Sequence, residues 1–152
     1  MQLPATAPDL IKLYESDYCL WLEATAKLLR ERRLNEIDFD NLVEEIEGMS
    51  RSERDALFSN LKVVLMHLLK YRYQPSRRSK SWRSSIREHR KRILRGFQNS
   101  PSLKPYFTEI LAECYQDARE QAADETGLPL VKFPEQCPFS QEEILNTDYL
   151  PD

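Results

Sequence analysis

The sequence predicts an all-α fold: a helical bundle of five or six helices with a Pro-rich C-terminal tail packed on it. Three observations predict it. Only three of the 152 residues are Gly, Gly48, Gly96 and Gly127, too few for a turn-rich β fold. Leu, Glu, Arg, Ala and Lys, all good helix formers, are plentiful. Apolar residues recur at i, i+3, i+4 and i+7 along most of the chain. An apolar content of 41% supplies a core, and the length suits one ordinary domain. Residues 1–8 are expected as a flexible N-terminal arm and residues 9–152 as a single helical domain.

The elements follow in order. A first helix is predicted over about Asp17 to Arg33, with a start as early as Asp9 allowed. Its Tyr18, Trp21, Leu22, Thr25, Leu28 and Leu29 share one face, and Arg30, Arg32 and Arg33 suit its C-terminal dipole. Asp38 or Asp40 can cap a short second helix, whose buried stripe is Phe39, Leu42, Val43, Ile46 and Met49. Gly48 weakens that pattern. Ser50-Arg51-Ser52-Glu53 then reads as a capping box opening a third helix to about Tyr73, with Leu57, Leu61, Val64, Leu65 and Leu68 inward. Gln74-Pro75 stops it, since Pro cannot donate the next helical bond.

A fourth helix is predicted over Trp82 to Gln98. Trp82, Ile86, Ile93, Leu94 and Phe97 face inward, and His89 and Arg90 occupy the core register between them. Ser100-Pro101 starts a fifth element, with Pro105 tolerated in its first turn and Gly127 as its C-terminal cap. Its stripe is Phe107, Ile110, Leu111, Cys114, Ala118 and Ala122. In the tail, Ser140-Gln141-Glu142-Glu143 is a second capping box that implies a short terminal helix. Phe133, Phe139, Ile144, Leu145 and Tyr149 suit packing on the bundle.

Some classes are excluded by what is missing. Cys19, Cys114 and Cys137 form neither a CxxC pair nor a zinc spacing. They read as reduced thiols of a cytoplasmic protein. The N-terminus has no signal-peptide pattern, and no apolar run nears the ~20 residues of a membrane helix. There is no Gly-rich phosphate loop and no nucleophile elbow, and no cofactor is expected.

The charge distribution is the strongest functional signal. Residues 62–95 hold twelve Lys/Arg and one acid, a net +11, while the whole chain is −3. Such an asymmetry is answered either by a polyanion outside or by acids of the same chain. The outside reading makes residues 70–95 a binding surface for nucleic acid or an acidic protein. Arg72, Arg77, Arg78, Arg83, Arg87 and Arg90 would neutralise phosphates, and Trp82 among them offers a ring for stacking. Arg83, Arg87 and Arg90 share a helical face. The inside reading pairs the segment with Glu36, Asp38, Asp40, Glu44, Glu45 and Glu47, where exposed pairs contribute only ~0–1 kcal/mol each.

Several stretches look familiar: LVEEIEGMSRSER (42–54), HLLKYRYQPSRRSKSWRSSI (67–86), SPSL (100–103), ETGLP (125–129) and FPEQCP (133–138). Through them the chain resembles domain-of-unknown-function family 29, small helical proteins common in cyanobacteria. The resemblance spans about Tyr14 to Pro151. It implies an all-α fold and no established activity.

Function therefore rests on the residues. A non-enzymatic module binding through the basic segment is the leading reading. The alternative is a metal-dependent nuclease or other hydrolase. Glu44 and Glu47, three apart on one helical face, would hold a hard cation such as Mg²⁺, and His67 and Lys70 would serve the attacking or leaving oxygen. Arg83-x5-His89 also matches a spacing of helical, metal-independent ribonucleases, although residues six apart lie about 120° from each other on a regular helix. A third reading is a structural or regulatory adaptor that assembles through an apolar patch.

Overall fold

Six α-helices and no strand make up the described part of the computed structural model, residues 7–152, with side chains described from Asp9 onward. The helices are α1 (Ala7–Ser16), α2 (Tyr18–Arg30), α3 (Phe39–Tyr73), α4 (Lys80–Asn99), α5 (Leu103–Thr126) and α6 (Gln141–Leu145). Most of the expected N-terminal arm lies outside the described residues; Ala7 and Pro8 begin α1. The chain divides into two compact units, Met1–Arg51 and Ser52–Asp152.

In the first unit the predicted first helix is two. Asp17 separates them, accepting from Leu20 N at 3.0 Å as the N-cap of α2. The second helix ends earlier than Arg33. Arg33 N reaches back to Leu28 O at 2.9 Å and Arg32 N to Leu29 O at 3.1 Å, the bond pattern of a Schellman turn. Arg32 takes the left-handed position, with φ 62°, where Gly is usual, so the sequence carries no stop signal there.

The unit's core is small: Leu10, Trp21, Ala24, Leu28 and Ile37. Trp21 is fully buried. Its ring packs edge-on to Tyr14 at 4.9 Å and stacks on Tyr18 at 6.1 Å. Its Nε1 donates to Asp38 Oδ2 at 3.4 Å. Asp38 also accepts from Asn41 Nδ2 at 2.6 Å. Tyr14 and Tyr18 donate to the two carboxylate oxygens of Glu45.

Two expectations about residues 39–53 are corrected. The second and third predicted helices are one continuous α3. Breaking it would orphan four carbonyls and four amides, whereas Gly48 inside it costs only about 1 kcal/mol. The Ser50–Glu53 capping pattern is thus unused. The stripe Phe39, Val43, Ile46 and Met49 is exposed, not buried; Leu42 alone is half-covered. The two tyrosines hold the Glu45 side of α3 inward. At 100° per residue, Phe39, Val43 and Ile46 lie about 100–160° away from it, and Met49 about 40°. On α2, Trp21, Thr25 and Leu28 are buried, while Tyr18, Leu22 and Leu29 stay exposed.

The hydrogen bonds from Tyr14, then Tyr18, hold the Glu45 carboxyl below the usual carboxylate range, and the Tyr14 hydroxyl is pushed up to about 12 by the same bond. A depressed acid stabilises the fold above its unfolded value, about 4.3, and that contribution is lost as pH falls through the lower folded value. Acid unfolding followed by Trp21 fluorescence, in a Trp82→Phe background, is expected to lose one acid-dependent step in Glu45→Gln. Superimposable curves would remove Glu45 from the account.

The second unit carries the larger core. Leu57, Leu61, Val64, Leu65 and Leu68 of α3 are buried as predicted, with Ile86, Ile93 and Phe97 of α4 and Phe107, Ile110, Cys114, Tyr115, Ala118 and Ala122 of α5. Phe133, Phe139 and Ile144 belong to the same cluster. Ser79 caps α4, accepting from Trp82 N at 3.1 Å. Gly127, at φ 73°, ends α5 in the left-handed conformation. Ser140 and Glu143 form the expected reciprocal capping box, at 3.0 and 2.9 Å. Among the described residues no helix is long and apolar enough to cross a membrane.

Candidate functional site

The site is built on α4. Its inner face is Ile86, Arg90, Ile93 and Phe97, all buried. That anchoring turns another side of the helix outward. Lys80, Arg83, Arg87, Lys91 and Arg95 fall within an arc of about 120° at 100° per residue and span about 22 Å of helix. All five are exposed. Among the described residues none of the five makes an ion pair. The ion pairs of segment 62–95 are Lys70 with Glu125, at 3.6 Å, and Arg92 with Glu88, at 3.3 Å on another side of α4.

Five of the six acids proposed as the internal answer are engaged within their own unit. Glu36 binds Arg33 at 2.5 Å. Glu44 and Glu47 both meet Arg51, at 3.3 and 3.9 Å. Glu45 binds the two tyrosines, and Asp38 binds Trp21 and Asn41. The guanidinium of Arg51 thus occupies the space a cation would need between Glu44 and Glu47. Among the described residues no three His, Cys, Asp or Glu side chains come together as a metal site.

Arg90 departs from its predicted surface role. Its side chain is 1% exposed. Nε donates to Ile144 O at 2.8 Å, Nη1 to Tyr149 O at 2.7 Å and Nη2 to Glu143 O at 2.9 Å. Burial lowers its pKa to about 10, which leaves it charged at neutral pH. Arg78 acts similarly: Nε donates to Tyr71 O at 2.7 Å and Nη2 to Pro151 O at 3.4 Å, with the guanidinium 4.3 Å from the centroid of the Tyr71 ring. These two arginines hold the C-terminal segment.

The remaining residues separate in the same way. Arg77 is exposed, and Arg72 is exposed beside the Tyr73 ring. Trp82 is half-buried, with Lys70 Nζ 4.7 Å from its ring centroid, so one face of the indole is already occupied. Lys70 is itself buried. His67 Nδ1 lies 3.0 Å from Val63 O, and burial is the main cause that lowers its pKa. His89 Nδ1 lies 2.7 Å from Ser85 O, so Arg83 and His89 have different surroundings on α4.

One feature at α4 was not legible in the sequence. Arg83, Ile86, Arg87 and Arg90 line a cleft of about 170 Å³ with Thr147, Asp148 and Leu150. Two guanidinium groups that make no ion pair among the described residues, Arg83 and Arg87, share it with the Asp148 carboxylate. The tail forms this wall where Arg90 and Arg78 hold it, and no local pattern encodes that placement. Chemically, the exposed row with its cleft can neutralise several anionic oxygens along one line.

No curated protein and no solved structure matches the chain. A family model described as a domain of unknown function, DUF29, matches residues 13–150. Together with the helical architecture, this match over nearly the whole length makes the chain a member of the DUF29 family.

Proposed function

We propose that the protein is a non-enzymatic module that binds nucleic acid through α4. The observation that carries this reading is the row Lys80, Arg83, Arg87, Lys91 and Arg95, exposed on one side of α4 with no ion pair among the described residues. Buried α4 residues keep the row straight, so its charges are preorganised. Duplex DNA presents one phosphate charge per ~1.7 Å of axis. A 22 Å row lies along many of them, and an α-helix fits a major groove about 12 Å wide. The contacts are to phosphates, which fix position and carry no sequence information. Lys70 covers one face of Trp82, which disfavours base stacking and favours a duplex over a single strand.

Fluorescence anisotropy of a labelled 20-base-pair duplex tests this. With three to five phosphate contacts, log K is expected to fall against log salt with a slope of about −3 to −4.5. A single strand of equal length is expected to bind more weakly. No binding at micromolar protein in 50 mM salt, or a slope near zero, would overturn the reading.

A further inference from the structure

We infer that the first unit carries a docking surface for a basic amphipathic helix of a partner protein, centred on Phe39, Val43, Ile46 and Met49. Of the eleven large hydrophobic residues exposed among the described residues, nine fall between Ile11 and Met49, in the smaller unit; only Leu130 and Val131 belong to the larger one. In that small unit the uncovered residues outnumber the five of its buried cluster. Single exposed hydrophobics are ordinary, but a grouped set marks an interaction site.

The four central residues are 50%, 49%, 57% and 59% exposed. They follow one another at steps of three and four on α3, so they make one stripe about 15 Å long. Four side chains of this size, each about half exposed, leave on the order of 350 Å² of apolar surface. That is within the range of the largest patches on monomers, which are often functional, and a little under half of the ~800 Å² that one partner buries in a standard protein interface. A small molecule does not need three turns of helix; a helix laid along the stripe does.

Charge identifies the occupant. Residues 1–51 hold eleven Asp/Glu and six Lys/Arg, a net −5. Asp40, Glu44 and Glu47 run beside the stripe at about 100° steps from it, and Arg51 is their ion-pair partner, 3.3 and 3.9 Å from Glu44 and Glu47. A two-fold contact with a second copy would bring two such −5 units together. A segment with apolar residues on one face and Lys/Arg on its borders satisfies both the stripe and its acids. This surface and the α4 row are independent, and each can fail without the other.

A fluorescein-labelled 18-residue peptide, Leu at helical i, i+3, i+4, i+7 spacing and Lys elsewhere, is the probe. Micromolar binding is expected. It should weaken at least tenfold in Val43→Ser/Ile46→Ser, several-fold in Glu44→Gln/Glu47→Gln, and not at all in Arg83→Ala/Arg87→Ala. The sites are exposed, so far-UV circular dichroism should be unchanged, and Ile46→Leu should restore binding. A scrambled peptide binding equally well would overturn the inference. So would binding unaffected by the serine variant. Sedimentation equilibrium showing a dimer that Val43→Ser/Ile46→Ser dissolves would also overturn it, because a second copy would then cover the stripe.

Discussion

Replacing Arg90 with Ala is expected to destabilise the unit of residues 52–152 by about 3–5 kcal/mol. Glu143 and Ile144 lie in the last turn of α6, a helix of five residues, where carbonyls lack helical partners. Arg90 supplies those partners, and one for Tyr149, from a single rigid fork. Among the described residues no acid forms an ion pair with the guanidinium; three carbonyl dipoles and the negative end of a short helix balance it. Removing the side chain leaves three carbonyls unmatched and a large cavity at a site 1% exposed. A change of this size lowers the melting temperature by roughly 15–25 °C in a domain near 100 residues. Arg90→Lys should recover only part, because an ammonium on one stem cannot reach three carbonyls in fork geometry. Amide exchange would show α6 and residues 146–150 losing protection in Arg90→Ala while the α5 core keeps it. Retained protection there, or a loss under 1 kcal/mol, would show that the tail is held by other contacts, such as Arg78 to Pro151.

The regular core was readable because its signals are local. The Leu57–Leu68 row, the stop at Pro75, the cap at Gly127 and the Ser140 box each act within one or two turns, and each is present. The failures share another cause. The Phe39–Met49 stripe has the periodicity of a buried face, but periodicity states that a face is apolar, not that anything covers it. Which side of α3 turns inward is decided by two tyrosine hydroxyls, 27 and 31 residues away in sequence. The basic segment misled in a similar way. Arg78, Arg83, Arg87 and Arg90 look alike as letters. Their roles diverge because the C-terminal segment, more than 50 residues later, accepts from two of them through its backbone carbonyls and leaves the other two in a cleft. Charge counting finds the segment; long-range backbone contacts sort its members. Arg90 did carry one usable signal, its core register between Ile86 and Ile93.

Removing Arg83, Arg87 and Lys91 together is expected to cut duplex affinity by two to three orders of magnitude at 50 mM salt. The reasoning is counterion release: each phosphate contact contributes about 0.9 to the salt slope, so losing three of five reduces it from about −4.5 to about −1.8. The change in slope is the more telling number, since it reports how many contacts vanished and not how well the protein is folded. Exposed Arg and Lys without partners should alter stability by no more than ~0.5 kcal/mol. Arg92→Ala is the matched control. It removes the same charge from the same helix, but Arg92 is paired with Glu88 at 3.3 Å on another side, so the slope should barely move. If Arg92→Ala and Arg87→Ala weaken binding equally, the protein acts through its overall field and α4 has no binding face. Asp148→Asn separates the cleft from the row. Its carboxylate lines the cleft with Arg83 and Arg87 and repels an incoming phosphate, so its loss should tighten duplex binding. An unchanged affinity in Asp148→Asn, beside a large loss in the triple variant, would place the phosphates on the outer row and leave the cleft empty of ligand.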